Sequence, residues 1–226
     1  MAGIPASRVP VIVGAGDLTD RPVDPAQGLE PMALMAEAMR RAEADAGASL
    51  LPRLDALDVV HEVSWPYADP LGLLCEALGV APRHRHYGPV GGETPVRFLH
   101  EAAERIARGE SAVAAVCGGE SQHTVAQAER RGVALPWTSR DPNAKPRTRE
   151  YLAEVVRRHG IDMPIRVYPL YENATQHAWG LTPQQGQAES ARLWSAYAEV
   201  AARNPGSWIP AASRRRRSPP PLPATA

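Results

Sequence analysis

"YGPVGGETPVRFLHEAAERIARGESAVAAVCGGES", residues 87–121, has the rhythm of a loop, a helix and a strand, with glycines at both turns. Thr94 stands where a helix cap is needed and Pro95 at the first helical position, where its missing N–H costs nothing. Val96, Leu99, Ala102, Ala103 and Ile106 recur at helical spacing and predict the buried side. "SAVAAVCGGES", residues 111–121, is a short apolar run closed by two glycines, which predicts a buried strand.

The same alternation extends upstream. "VPVIVGAGD", residues 9–17, reads as a first buried strand. "LEPMALMAEAMRRAEADAG" reads as a helix, with Pro31 in its first turn, an apolar face of Leu34, Met35, Ala38, Met39, Ala42 and Ala46, and Gly47 placed to end it. "LDALDVVHEV", residues 54–63, is a second strand. "DPLGLLCEALG" is a second helix, capped by Asp69, started by Pro70 and apolar at Leu71, Leu74, Cys75 and Leu78. "RHRHYGPV" is a weak third strand. Three strand-helix units followed by a strand imply a mostly parallel α/β sheet with right-handed crossovers.

After Ser121 the rhythm stops. Residues 122–150 are polar and broken by Pro136, Pro142 and Pro146. Three helical patterns follow, at roughly 148–159, in "YPLYENATQHAWG" and at 183–203, the last with Leu193, Trp194, Tyr197, Val200 and Ala201 at helical spacing. The chain thus divides into an α/β core at 8–121, a helical loop or insertion region at 122–208, and an Arg/Pro-rich tail at 209–226 expected to be disordered.

Composition sets bounds on partners. The 226 residues are 44% hydrophobic, and 25 Lys+Arg balance 25 Asp+Glu, so neither nucleic acid nor an anionic membrane is indicated as a partner. Two cysteines, Cys75 and Cys117, make no disulfide framework and read as small buried hydrophobes. No run approaches a membrane span and no signal peptide stands at the start, so a reducing, cytoplasmic setting is the expectation.

The polar candidates are few. Gly14-Ala15-Gly16 follows the first strand pattern, but a dinucleotide fingerprint would put its third glycine at Thr19 and its helix directly behind, whereas the helix begins near Pro31. A strand-end turn is the reading kept. His84 and His86 alternate along a strand and share a side, yet no further ligand stands at a familiar spacing, so they read as exposed or partner-facing and no metal is expected. His61 reads as a satisfied core histidine. Glu120 and His123 lie at the carboxyl end of the last strand, where open α/β sheets place ligands; for Glu120 the expected role is holding a neighbouring loop through backbone N–H groups. Arg214–Arg217 read as a solvated tail.

"AAERIARGESAVAAVCGGES" resembles the segment of thiolases that follows the nucleophile, and "VPVIVGAGD" resembles the thiolase first strand. "VSWPYADPLGLLCEALG" and "YPLYENATQHAWGLTPQQ…ARLWSAYAEVAARNP" are similar to a bacterial thiolase-like branch of acetyl-CoA acetyltransferases and lipid-transfer-protein-type thiolases, and the likeness runs from about residue 8 to Trp208. The resemblance implies a thiolase-like N-terminal half with strand order 3-2-1-4-5. The run at 9–17 would then lie between the runs at 54–63 and 111–121. It also implies a loop domain that helps hold coenzyme A.

Against that pattern the fifth strand and the whole second half, with its Gly-His-Pro histidine and acid-base cysteine, are expected to be missing, as in a truncated copy. Counting back from Ile106 and Gly109, the nucleophile position falls at Gly92. A helix N-terminus lowers the cost of a thiolate there, but Gly92 has no thiol to ionise.

Three functions follow from the resemblance. The first is an acyl-CoA-handling protein of lipid metabolism, acyltransferase by descent, that binds no covalent cofactor and lacks thiolase turnover. The second is part of a retro-aldol carbon–carbon lyase acting on an acyl-CoA with a small OB-fold partner. The third is a non-catalytic acyl-CoA-binding or homodimer module.

Overall fold

A computed structural model describes residues 5–141, 143, 153–204 and 206–208. The chain divides into two compact units, Met1–Arg147 and Thr148–Ala226. The tail at 209–226, with Arg214–Arg217, and residues 144–152, including Pro146, lie outside the described residues, as does Pro142.

The first unit is built on a three-stranded parallel sheet of β1 (Ala56–Val59), β2 (His84–Tyr87) and β3 (Ala114–Cys117), in the order β2-β1-β3. In register, Asp58 stands opposite His86 on one side and Val116 on the other. Helices α1 (Pro31–Ala46) and α2 (Pro70–Leu78) pack together, and α3 (Thr94–Arg108) packs on β3. Leu57 and Val59 join Met32, Met35, Met39, Tyr67, Leu74 and Cys75 in the core formed with α1 and α2. Side chains alternate across a strand, so Asp58 points to the opposite face, where it meets Arg105 of α3.

The helix ends follow from local chemistry. The Asp69 carboxylate accepts the Gly72 N–H at 2.9 Å, and α2 stops at Gly79, which takes the left-handed conformation at φ 65°. Gly47 closes α1 in the same way.

The structure departs from the sequence pattern in three places. Residues 9–17 form no strand; β1 pairs directly with β3, so no strand separates the runs at 54–63 and 111–121. Gly14 and Gly16 instead abut α1. A Cβ on Gly14 would lie 2.1 Å from the Ala42 carbonyl oxygen, and one on Gly16 would lie 2.2 Å from that of Ala38. The Ala15 N–H donates to Asp45 and the Asp17 carbonyl accepts from Arg41, so this stretch is held by the helix rather than by a ladder.

Helix α3 departs from its sequence pattern as well. Its fully covered face is Thr94, Phe98 and Ala102, whereas Val96 and Leu99 are exposed. Phe98 faces the loop after β2: a Cβ on Gly88 would fall 1.9 Å from its ring. Thr94 lies inside the helix, Glu93 takes the cap position, and the Thr94 hydroxyl donates to the Pro89 carbonyl.

Third, a helix, α4 (Gln122–Arg131), forms where the polar composition after Ser121 reads as irregular. It buries Thr124, Val125 and Ala128 and ends at Gly132.

The second unit is helical: α5 (Glu154–Arg158), α6 (Pro164–Ala178) and α7 (Pro183–Ala201). Thr182 and Gln185 form a reciprocal capping box at the start of α7. A hollow of about 340 Å³ between α6 and α7 is lined by Tyr168, Tyr171, Gln176 and Trp179. The periodic residues Leu193, Trp194, Tyr197 and Val200 are all more than half exposed. Among the described residues, no helix is long and apolar enough to cross a membrane.

Candidate functional site

At the carboxyl ends of β1 and β3 an open cleft of about 570 Å³ is lined by Val60, His61, Pro95, Leu99, Cys117 and Glu120. Pro95 brings the first turn of α3 into its wall. The loop before that turn is braced at several points: the Gly88 N–H donates to the Val59 carbonyl at 2.9 Å, and the Thr94 N–H to that of Gly91 at 3.2 Å. Gly92 stands in this loop, and a Cβ built on it meets nothing within 4 Å. A side chain at residue 92 would project into open space at the start of α3. Glu93 folds its carboxylate back over Gly91, where the helix dipole favours negative charge.

Glu120 holds the opposite loop. One carboxylate oxygen accepts the Val63 N–H at 2.8 Å, the other the Ser64 N–H at 2.9 Å. His123 lies in the first turn of α4, half-buried, and is not among the residues that line the cleft.

Within electrostatic reach of Glu120 is a group that the sequence did not single out. Glu62 is 1% exposed, and the Tyr87 hydroxyl donates to its Oε2. Its Oε1 has no hydrogen-bond partner among the described residues. Burial pushes the Glu62 carboxyl above the usual range, against the Tyr87 hydrogen bond, and the nearby Glu120 charge adds to the rise. The Tyr87 hydroxyl is raised too, by burial and by Glu62. The His61 and Tyr87 rings lie 4.6 Å apart. The clue in the sequence was a carboxylate at the end of the apolar strand pattern "LDALDVVHEV", but the phenol it meets is 25 residues away.

Neither cysteine is poised as a nucleophile. Burial pushes the Cys117 thiol up to about 12, and burial also raises Cys75. Cys75 does have a basic neighbour, Arg85, whose charge and hydrogen bond offset part of that rise.

On the α3 face of the sheet, His84 and His86 are not the isolated pair that spacing suggests. Asp58, fully buried on the adjacent strand, supplies a carboxylate between them, with His84 Nε2 and His86 Nδ1 at 3.2 Å and 3.4 Å from its Oδ1. Its Oδ2 takes the ion pair from Arg105.

No family model and no curated protein matches the chain. Among solved structures, it is similar to a monomeric SCP2-thiolase like protein type 1 from Mycobacterium smegmatis, with a TM-score of 0.61 and 23% identity. The similarity covers 90% of this chain and 37% of that one, so the chain spans little more than a third of its structural neighbour. The chain has a mixed α/β, thiolase-like fold.

Proposed function

We propose that this chain handles an acyl-CoA thioester without forming an acyl-enzyme. The observation that carries the reading is the pairing of the cleft at the carboxyl ends of β1 and β3 with Gly92 at the mouth of α3, in a thiolase-like fold. Open α/β sheets bind ligands at that end, and the space beside residue 92 leaves room for a thioester. Acyl transfer through an acyl-enzyme needs a nucleophilic side chain, and Gly92 offers none. The two thiols the chain does have are held protonated by burial. The acyl-CoA thus acts as ligand or substrate, and coenzyme A is no resident cofactor.

Glu62 favours a second reading, that of a carbon–carbon lyase component. A retro-aldol step needs a group to take a proton from a hydroxyl and another to stabilise the enolate that forms. A carboxyl raised by burial, hydrogen-bonded to a tyrosine, suits proton transfer. Glu62 would exchange the proton, and a partner protein would complete the site.

Calorimetric titration with coenzyme A and with acetyl-CoA tests the first reading: saturable binding is expected, and absence of heat overturns it. Mass spectrometry after acetyl-CoA treatment is expected to show no adduct. A stoichiometric acetyl thioester on Cys75 or Cys117 would sink the non-covalent mechanism. Release of a carbonyl product from a β-hydroxyacyl-CoA, lost in Glu62→Gln, would select the lyase reading.

A further inference from the structure

We propose that Asp58, His84 and His86 form a binding site for a divalent transition-metal ion of the zinc type. The three offer one ligand atom each, all within 4.8 Å of one another. Zinc bonds of about 2.0–2.2 Å to imidazole nitrogen and carboxylate oxygen, at tetrahedral angles, put neighbouring ligand atoms about 3.3 Å apart. The two carboxylate–imidazole separations, 3.2 Å and 3.4 Å, bracket that edge. The third edge, between the two imidazoles, is no longer than 4.8 Å and would need side-chain rotation to shorten, which side chains about 40% exposed leave room for. That exposure also gives an ion a way in and leaves a coordination position open to water.

The backbone makes this arrangement. His84 and His86 are two residues apart on β2, so both project from the same face. Asp58 is the in-register neighbour of His86 on β1, which places the carboxylate beside them. A lone carboxylate buried in a sheet is strongly unfavourable; the Arg105 ion pair on Oδ2 offsets this and fixes which oxygen faces the histidines. An outer partner of this kind is what orients a ligating carboxylate in built metal sites. His86 is steadied in turn by the Phe98 ring, 4.9 Å away. The guanidinium charge lowers affinity for a cation, so the site is of moderate strength and suits zinc, nickel or cobalt, which accept imidazole readily, over magnesium or calcium.

The rival arrangement is metal-free, with both imidazoles donating to Asp58. Calorimetric titration of the full chain with Zn²⁺, paired with Co²⁺ titration read by visible absorption, separates the two. The expected result is one saturable ion per chain and cobalt bands of a nitrogen/oxygen site. His84→Ala is expected to weaken binding at least about tenfold, and the His84→Ala/His86→Ala double variant to abolish it. His100→Ala is the control: His100 also pairs with a carboxylate, Glu104 at 3.3 Å, but on the exposed side of α3, and its loss should change nothing. If the alanine double variant does not fold, as judged by circular dichroism, His84→Gln/His86→Gln replaces it. No saturable binding, binding retained in the folded double variant, or binding lost in His100→Ala would each overturn the proposal.

Discussion

At the scale of single residues, the proposed chemistry turns on Glu62 and Gly92. Glu62 has a folded-state pKa above its ordinary value of 4.5, because burial opposes its charge. A carboxyl raised on folding contributes stability that is fully present below 4.5 and lost as pH rises through the elevated value. Glu62→Gln keeps an oxygen for Tyr87 and removes the charge. It should raise the urea midpoint at neutral pH and leave the midpoint below pH 4.5 nearly unchanged; an equal effect at both pH values would contradict the argument. Gly92→Cys tests the geometry at the mouth of α3. A thiol there, in open space at a helix N-terminus, should react with iodoacetamide about a hundredfold faster than Cys117, which is held near 12 by burial. Peptide mapping of the labelled protein reads both rates at once.

At the scale of elements, glycines mark where backbone approaches backbone or turns left-handed, and the two uses differ in cost. Gly79 has φ 65°, and a methyl group placed on it would meet nothing within 4 Å, so Gly79→Ala should cost only the conformational term, about 1 kcal/mol. Gly14 would drive its Cβ into the Ala42 carbonyl, and Gly14→Ala should cost about 2–3 kcal/mol as α1 is pushed away. Urea unfolding of both variants ranks them, and the opposite order would show that residues 9–17 do not lean on α1. These glycines also explain what the sequence conveyed. The helix starts and stops of α1 and α2 were legible because Pro31, Asp69, Gly47 and Gly79 act locally. The run at 9–17 was misread because an apolar stretch looks the same beside a strand or a helix, and only the Gly14/Gly16 pair hints at the helix. The covered face of α3 was misread because Arg105 sits next to it, and the charge that admits it, Asp58, is 47 residues away. For the same reason the Asp58 side of the His84–His86 pair was invisible: strand register, not spacing, brings it there. α4 was missed because its buried stripe is only Thr124, Val125 and Ala128 in an otherwise polar segment.

At the scale of the whole molecule, the chain leaves much apolar surface in contact with water. Val9, Val11, Ile12 and Val13 are all more than half exposed, and so are Trp179, Trp194 and Tyr197 of the helical unit. In the described sheet β3 borders only β1, and its residues "AAVC" include neither the lysine nor the proline that blunts an edge. A few hundred Å² of exposed apolar surface is worth on the order of 10 kcal/mol at about 25 cal/mol per Å², comparable to a domain's whole net stability of about 5–15 kcal/mol. The chain alone should therefore self-associate, with a concentration-dependent elution volume in size-exclusion chromatography, and Ile12→Lys should shift it toward the monomer. A monodisperse monomer with a sharp cooperative melt would show that this surface is tolerated. The packing of Phe98 opens a direct view of such changes. Phe98 is the chain's only phenylalanine and is fully buried between the Gly88 backbone and the His86 ring. Growth on fluorinated phenylalanine would thus place one fluorine atom in the interior of the first unit. Its single NMR resonance would report, without assignment, whether that interior is fixed or fluid, and would register any ion that reorients His86.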